Sequence, residues 1–172
     1  MNQGGFRTLS LVALGALTVG LAIGPRTALA GSWYTLATDG KELILVDLAS
    51  VDRLPGGTFT VDQEQIYSNA GLMHVPGVSI PVRRQSLKLE VDCKKKQSRL
   101  IELTMFGENR DPIGHGTASG QQAAWMPSGS GYASPNLFEA TCGAKPDQKD
   151  IHAESDVVQI QQLYVTATSE KK

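Results

Sequence analysis

Cys93 and Cys142 are the only thiols in a chain of 172 residues, and Lys94, Lys95 and Lys96 directly follow the first of them. A redox dithiol would need Cys-X-X-Cys spacing, which is absent, so the two cysteines read as one structural disulfide. Metal ligation would need a second His or Cys at a spacing such as H-x-x-x-H, and His74, His115 and His152 each stand alone. No metal and no cofactor is therefore expected. The lysines support two readings, a contact for heparin-like polymers or anionic headgroups and a solvated turn. They fall short of the about five to eight residues of a basic patch. Ser128, Ser130 and Ser134 invite a nucleophile, but "PSGSG" is not G-x-S-x-G and lies between a strand and a helix rather than in a sharp elbow. "GHGTAS", Gly114 to Ser119, lacks the Gly-Lys-Ser/Thr ending of a phosphate loop. Trp33 and Trp125 read as core or packing residues before they read as a ligand face.

The compartment decides what thiols do, and the first thirty residues speak to it. Arg7 supplies a positive start, Leu11 to Ile23 carries no charge, and Pro25 is followed by Ala28-Leu29-Ala30. This is the pattern of a secretory signal cut between Ala30 and Gly31, with an apolar run too short and too glycine-rich for a permanent span. The mature 142 residues suit one domain, exported to the periplasm or cell surface, with no integral membrane span after cleavage. Two of the 16 basic residues leave with the signal, so 14 face 17 acidic ones, a net charge of −3 that argues against nucleic-acid binding. An oxidising compartment favours the disulfide. No cysteine at the signal junction offers a lipid-anchor site.

The elements that must position these residues are mostly extended. Asp39-Gly40 between "SWYTLAT" (Ser32 to Thr38) and "ELILVDL" (Glu42 to Leu48) signals a hairpin. "SVDRLPGG", Ser50 to Gly57, is turn chemistry, and "TFTVDQEQIY", Thr58 to Tyr67, opens with strict alternation. Residues 70–81, punctuated by Gly71, Pro76, Gly77 and Pro81, read as a connection. In "VRRQSLKLEVDC", Val82 to Cys93, period two puts Leu87, Leu89, Val91 and Cys93 on one apolar face. The lysines then turn the chain into "SRLIELTMFG", Ser98 to Gly107, and Arg83 and Arg84 extend the basic edge if their strand end approaches that turn. Glu108 to Gly120 reads as loop and "QQAAWMP", Gln121 to Pro127, as a short last strand. Ser134 as N-cap and Pro135 at the first helical position start a helix on which Phe138 and Cys142 share a face, both buried, with Gly143 as its stop. Beyond residue 143 the composition is polar. Val157, Ile160 and Tyr164 at helical spacing compete there with a β-prone "LYVTAT", so helix, added strand and disorder all stay open.

The order of Trp33, "ILVDLASVDR" (Ile44 to Arg53), "LKLEVDCKKKQSRLIEL" (Leu87 to Leu103) and "AAWMPSGSGYASPNLFEATC" (Ala123 to Cys142) resembles the surface-adhesin protein E-like domain of exported proteobacterial proteins. The resemblance implies an α+β fold, an antiparallel sheet of about six strands packed by a short C-terminal helix. It also implies a disulfide from sheet to helix, with the sheet cysteine at Cys93 and the helix cysteine at Cys142. The organisation is then a signal over residues 1–30, the domain over 31–143 and a polar tail over 144–172. The family's named member adheres to host matrix proteins such as vitronectin and laminin. This chain departs from it in lacking the lipid-anchor cysteine and in carrying a longer tail. The expected function is a non-enzymatic protein-interaction module, with Lys94 to Lys96 as the partner-binding turn. Set against it are a periplasmic envelope-associated protein, a carrier of a small ligand in the sheet's concave face, and a small hydrolase using a serine or His115. Neither the partner nor the oligomeric state is written in the residues.

Overall fold

The computed structural model describes residues 32–108, 111–143, 151–152 and 156–170. The signal junction at Ala30 and Gly31 and the linker over 144–150 lie outside the described residues. Seven strands form one antiparallel sheet: β1 (Trp33–Thr38), β2 (Glu42–Arg53), β3 (Phe59–Tyr67), β4 (Arg84–Asp92), β5 (Gln97–Phe106), β6 (Pro112–Thr117) and the two-residue β7 (Met126–Pro127). The first six follow each other in sequence order, and β7 and β6 share the outer edge of β5 end to end. Among the described residues two α-helices, α1 (Pro135–Cys142) and α2 (Val157–Ser169), pack on the sheet, and the Cys93–Cys142 disulfide joins α1 to it.

Period two sorts the strand residues onto two faces, and each helix covers one of them. Leu87, Leu89 and Val91 of β4 meet Val61 of β3 and Leu100 of β5 on the face that Leu137 and Phe138 of α1 close. Ser134 caps this helix by accepting the Leu137 N–H at 3.2 Å. Ser134→Ala is expected to cost about 1 kcal/mol in denaturant unfolding and to raise amide exchange in the first turn of α1. On the opposite face Trp33, Leu43, Leu45 and Ile66 form a second core, covered by Ile160 of α2. The segment left open in sequence is thus helical over 157–169, started by Asp156, whose side chain accepts the Val158 N–H at 2.9 Å. The free edge of β1 is covered as well: Ile151 bridges Tyr34, and the His152 N–H bonds the Trp33 carbonyl at 2.8 Å. This contact occupies the start of an edge strand whose open backbone groups could otherwise pair with another chain.

Four local expectations change. β2 continues through Ser50 to Arg53 instead of turning there, with a bulge between Asp47 and Asp52. The turn-forming bonds exist, since Asp47 accepts the Ala49 N–H and Ser50 Oγ donates to the Asp47 carbonyl, but they shape the bulge rather than end the strand. Pro112–Thr117, expected as loop, is the edge strand β6. Its glycines misled because they sit inside a paired edge strand: Gly114 stands opposite Met105, whose terminal Cε packs over it, 2.6 Å from where a Cβ would be. The expected strand over 121–127 begins instead as a 3-10 turn, Gly120–Ala123, and only Met126–Pro127 pair with β5. Finally, Cys142 is exposed and Cys93 half-buried, because Cys142 is the last residue of α1 and Cys93 lies in the turn that follows β4.

Candidate interaction site

Everything chemically distinctive about the thiols and lysines meets at one end of the sheet. The turn between β4 and β5 is fixed from within, because the Asp92 carboxylate accepts the backbone N–H groups of Lys94 and Lys95, both at 3.0 Å. Lys96 closes it with φ 51°, the only non-glycine residue in the left-handed region among the described residues. A side chain in that region costs on the order of 1–2 kcal/mol. The Lys96 carbonyl accepts the Ser128 N–H at 2.9 Å, so the loop that follows β7 is fastened beside the lysines. That loop favours glycine at Gly131, where φ is 52° and a Cβ would stand 2.9 Å from Met126 Sδ. It leads to Ser134 and α1, and α1 returns to the lysine turn through Cys142, whose Cα lies 5.7 Å from that of Cys93.

The result is an open groove of about 400 Å³ in which Lys96 and Ser128 face Pro135, Phe138, Glu139 and the disulfide. All three lysine side chains are exposed. Lys95 Nζ lies 3.9 Å from Asp92, an exposed contact worth little in water. The site can thus present a localised positive charge on a braced turn above a partly apolar groove.

The other sequence candidates do not join it. Arg84 starts β4, Arg83 directly precedes it and Lys94 follows its end, roughly 30 Å away at about 3.3 Å per residue. Both arginines are also buried and engaged internally. Arg83 donates to the Tyr67 carbonyl at 2.9 Å, to Asn69 at 2.8 Å and to Glu108 at 3.1 Å. His74 is exposed in the 71–81 connection, His115 Nδ1 pairs with Thr104 at 2.9 Å, and His152 Nε2 with Thr35 at 2.8 Å. The three histidines therefore sit at separate places. Of the serines, Ser128 lines the groove, Ser130 closes a turn with Ala133, and Ser134 caps α1. Among the described residues no group of three or more His, Cys, Asp or Glu side chains is placed to hold a metal ion.

Sequence reasoning passed over a second polar constellation, on the face that α2 shares. Arg84 Nη1 donates to Glu64 at 2.9 Å, both side chains are buried, and the guanidinium lies 3.7 Å from the Phe106 ring centre. Burial pushes the Glu64 carboxyl above its ordinary range, and the Arg84 charge opposes that only in part. On the same face, toward the other end of β4, Glu90 accepts from Thr58 at 2.6 Å and from Arg99 Nε at 2.8 Å, while Arg99 stacks 4.8 Å from the Trp125 ring centre. A signal was present: Glu64, Arg84 and Glu90 fall on the polar phase of their strands, where period two faces them away from the α1 core.

No protein-family model matches the chain, and no curated protein or solved structure does either. Among the described residues no helix is long and apolar enough to cross a membrane.

Proposed function

We propose that the chain is an exported, non-enzymatic protein-interaction module that meets an acidic surface of its partner through the turn Lys94 to Lys96. Host matrix proteins such as vitronectin and laminin are the version that the resemblance to surface-adhesin protein E suggests. The observation that carries the reading is Lys96. Glycine or asparagine would occupy its left-handed position at lower cost, yet a lysine stands there, exposed, beside two more and at the mouth of a groove. Backbone strain held at an exposed, charged turn points to use of the side chain. The leader-like residues 1–30 and the disulfide support export to an oxidising compartment.

Lys96→Gly separates the two roles of this position. It is expected to raise stability by about 0.5–1 kcal/mol through relief of the turn. It also removes one charge from the contact, so affinity should fall while stability rises.

For the adhesive version, the protein on intact cells should be open to added protease, and a deletion strain should lose attachment to surfaces coated with vitronectin or laminin. Protection until the outer membrane is opened would move the protein to the periplasm and refute matrix adhesion.

A further inference from the structure

We infer that the Cys93–Cys142 disulfide opens in one direction: an incoming thiolate attacks Cys142 Sγ and Cys93 departs, which makes Cys142 the S-thiolation site of the chain for small thiols and dithiols. Access points this way first. Cys142 is exposed at the last position of α1, while Cys93 is half-buried and packed against the α1-side core. Both cysteines line the groove through which a thiol arrives, and the difference in exposure decides which sulfur it reaches first.

Charge points the same way. In thiol–disulfide exchange the sulfur that leaves carries negative charge, and exchange is faster when that charge is stabilised. Cys93 is followed by Lys94, Lys95 and Lys96, and Lys96 shares the groove with it. Asp92, its neighbour in sequence, is already turned to the Lys94 and Lys95 N–H groups and lies 3.9 Å from Lys95 Nζ. Cys142 has the opposite setting. It closes a helix, where unpaired carbonyls disfavour an anion, and Glu139, one turn back, lines the same groove. Negative charge is therefore better placed on Cys93 than on Cys142.

The exchange balances with a thiol as the co-reactant. A thiolate RS⁻ forms the R–S–S bond to Cys142 as the Cys142–Cys93 bond breaks, and the electron pair stays on Cys93, which takes up the proton that the thiol released. With a dithiol, its second sulfur attacks R–S–S–Cys142, leaving as a disulfide and releasing Cys142 as a thiol. The inference does not depend on which partner the lysine turn meets.

The test uses the full chain with its native disulfide and glutathione as the thiol. After brief incubation, acid quench, alkylation of free thiols and digestion, mass spectrometry reads which cysteine carries glutathione. Glutathione on Cys142 with alkylated Cys93 is expected in roughly fivefold excess over the reverse. Equal labelling, a majority on Cys93, or no uptake before global unfolding overturns the inference. Lys94→Gln, Lys95→Gln and Lys96→Gln combined should slow glutathione uptake at least about twofold at low salt, and Glu139→Gln should shift labelling toward parity. Rates and ratios untouched by both variants would remove the charge argument and with it the direction.

Discussion

Replacing Cys93 and Cys142 together by serine is expected to lower the stability of the domain by about 4 kcal/mol, because the bond joins residues 49 positions apart. In the chain-entropy description most of this arises in the unfolded state, which gains the freedom the cross-link removed. The folded side loses as well. α1 has only eight residues, too few to persist without tertiary support, and Leu137 and Phe138 are its two buried side chains. With the tether gone, the helix end and the lysine turn are held together only through the Lys96 to Ser128 bond and the core beneath. Urea unfolding followed by Trp33 and Trp125 fluorescence should show the loss, with a higher m-value from a more expanded unfolded chain. In heat the midpoint should fall by roughly 12 °C. A loss under about 1 kcal/mol would mean that the bond decorates a fold that is complete without it.

Arg84→Ala should cost a similar amount, about 3–5 kcal/mol, for a different reason. The substitution leaves Glu64 buried without the guanidinium that faces it at 2.9 Å, and uncovers the Phe106 ring. The loss should depend on pH in a definite direction. Glu64 already titrates above its ordinary value of 4.5 because burial outweighs Arg84. In such a case the native state holds a proton that the unfolded chain has released, so stability falls as pH rises from the ordinary value through the folded one. Without Arg84 the folded value moves higher still, and the penalty of the variant should shrink on acidification below neutrality as Glu64 takes its proton. Unfolding of wild type and variant at several values between pH 5 and 8 checks this; a penalty that grows toward acid would contradict it. Glu64→Gln with Arg84→Met removes both charges and should cost less than Arg84→Ala alone.

What could be read from the residues follows their local physics. The alternation in Val82 to Cys93, the lysine turn and the Ser134-Pro135 helix start are short-range signals, and all three are present as strand, turn and cap. The pairing of Cys93 with Cys142 needed only a count of two. Long-range facts were hidden. Gly114 signals a loop until Met105 is placed against it, and Ser50 signals a turn until the Asp62 N–H is found bonded to its hydroxyl at 2.8 Å. Val157, Ile160 and Tyr164 could be placed on a helix only once the sheet offered them Trp33, Leu43 and Leu45 to cover. The site shows the same division. Lysines on a turn were legible, whereas the groove beside them exists only because the loop after β7 and the end of α1 converge there.

If the lysine turn is the surface a partner meets, reversing its charge must weaken binding. The most direct measurement titrates the purified protein onto immobilised vitronectin and laminin, alongside the variant Lys94→Glu, Lys95→Glu, Lys96→Glu. These side chains are exposed, so each substitution should change stability by no more than about 0.5 kcal/mol. Wild type is expected to bind in a salt-sensitive manner and the folded variant to lose at least about tenfold in affinity. Binding by both proteins with equal affinity, or by neither, would contradict a role of Lys94 to Lys96 in matrix binding.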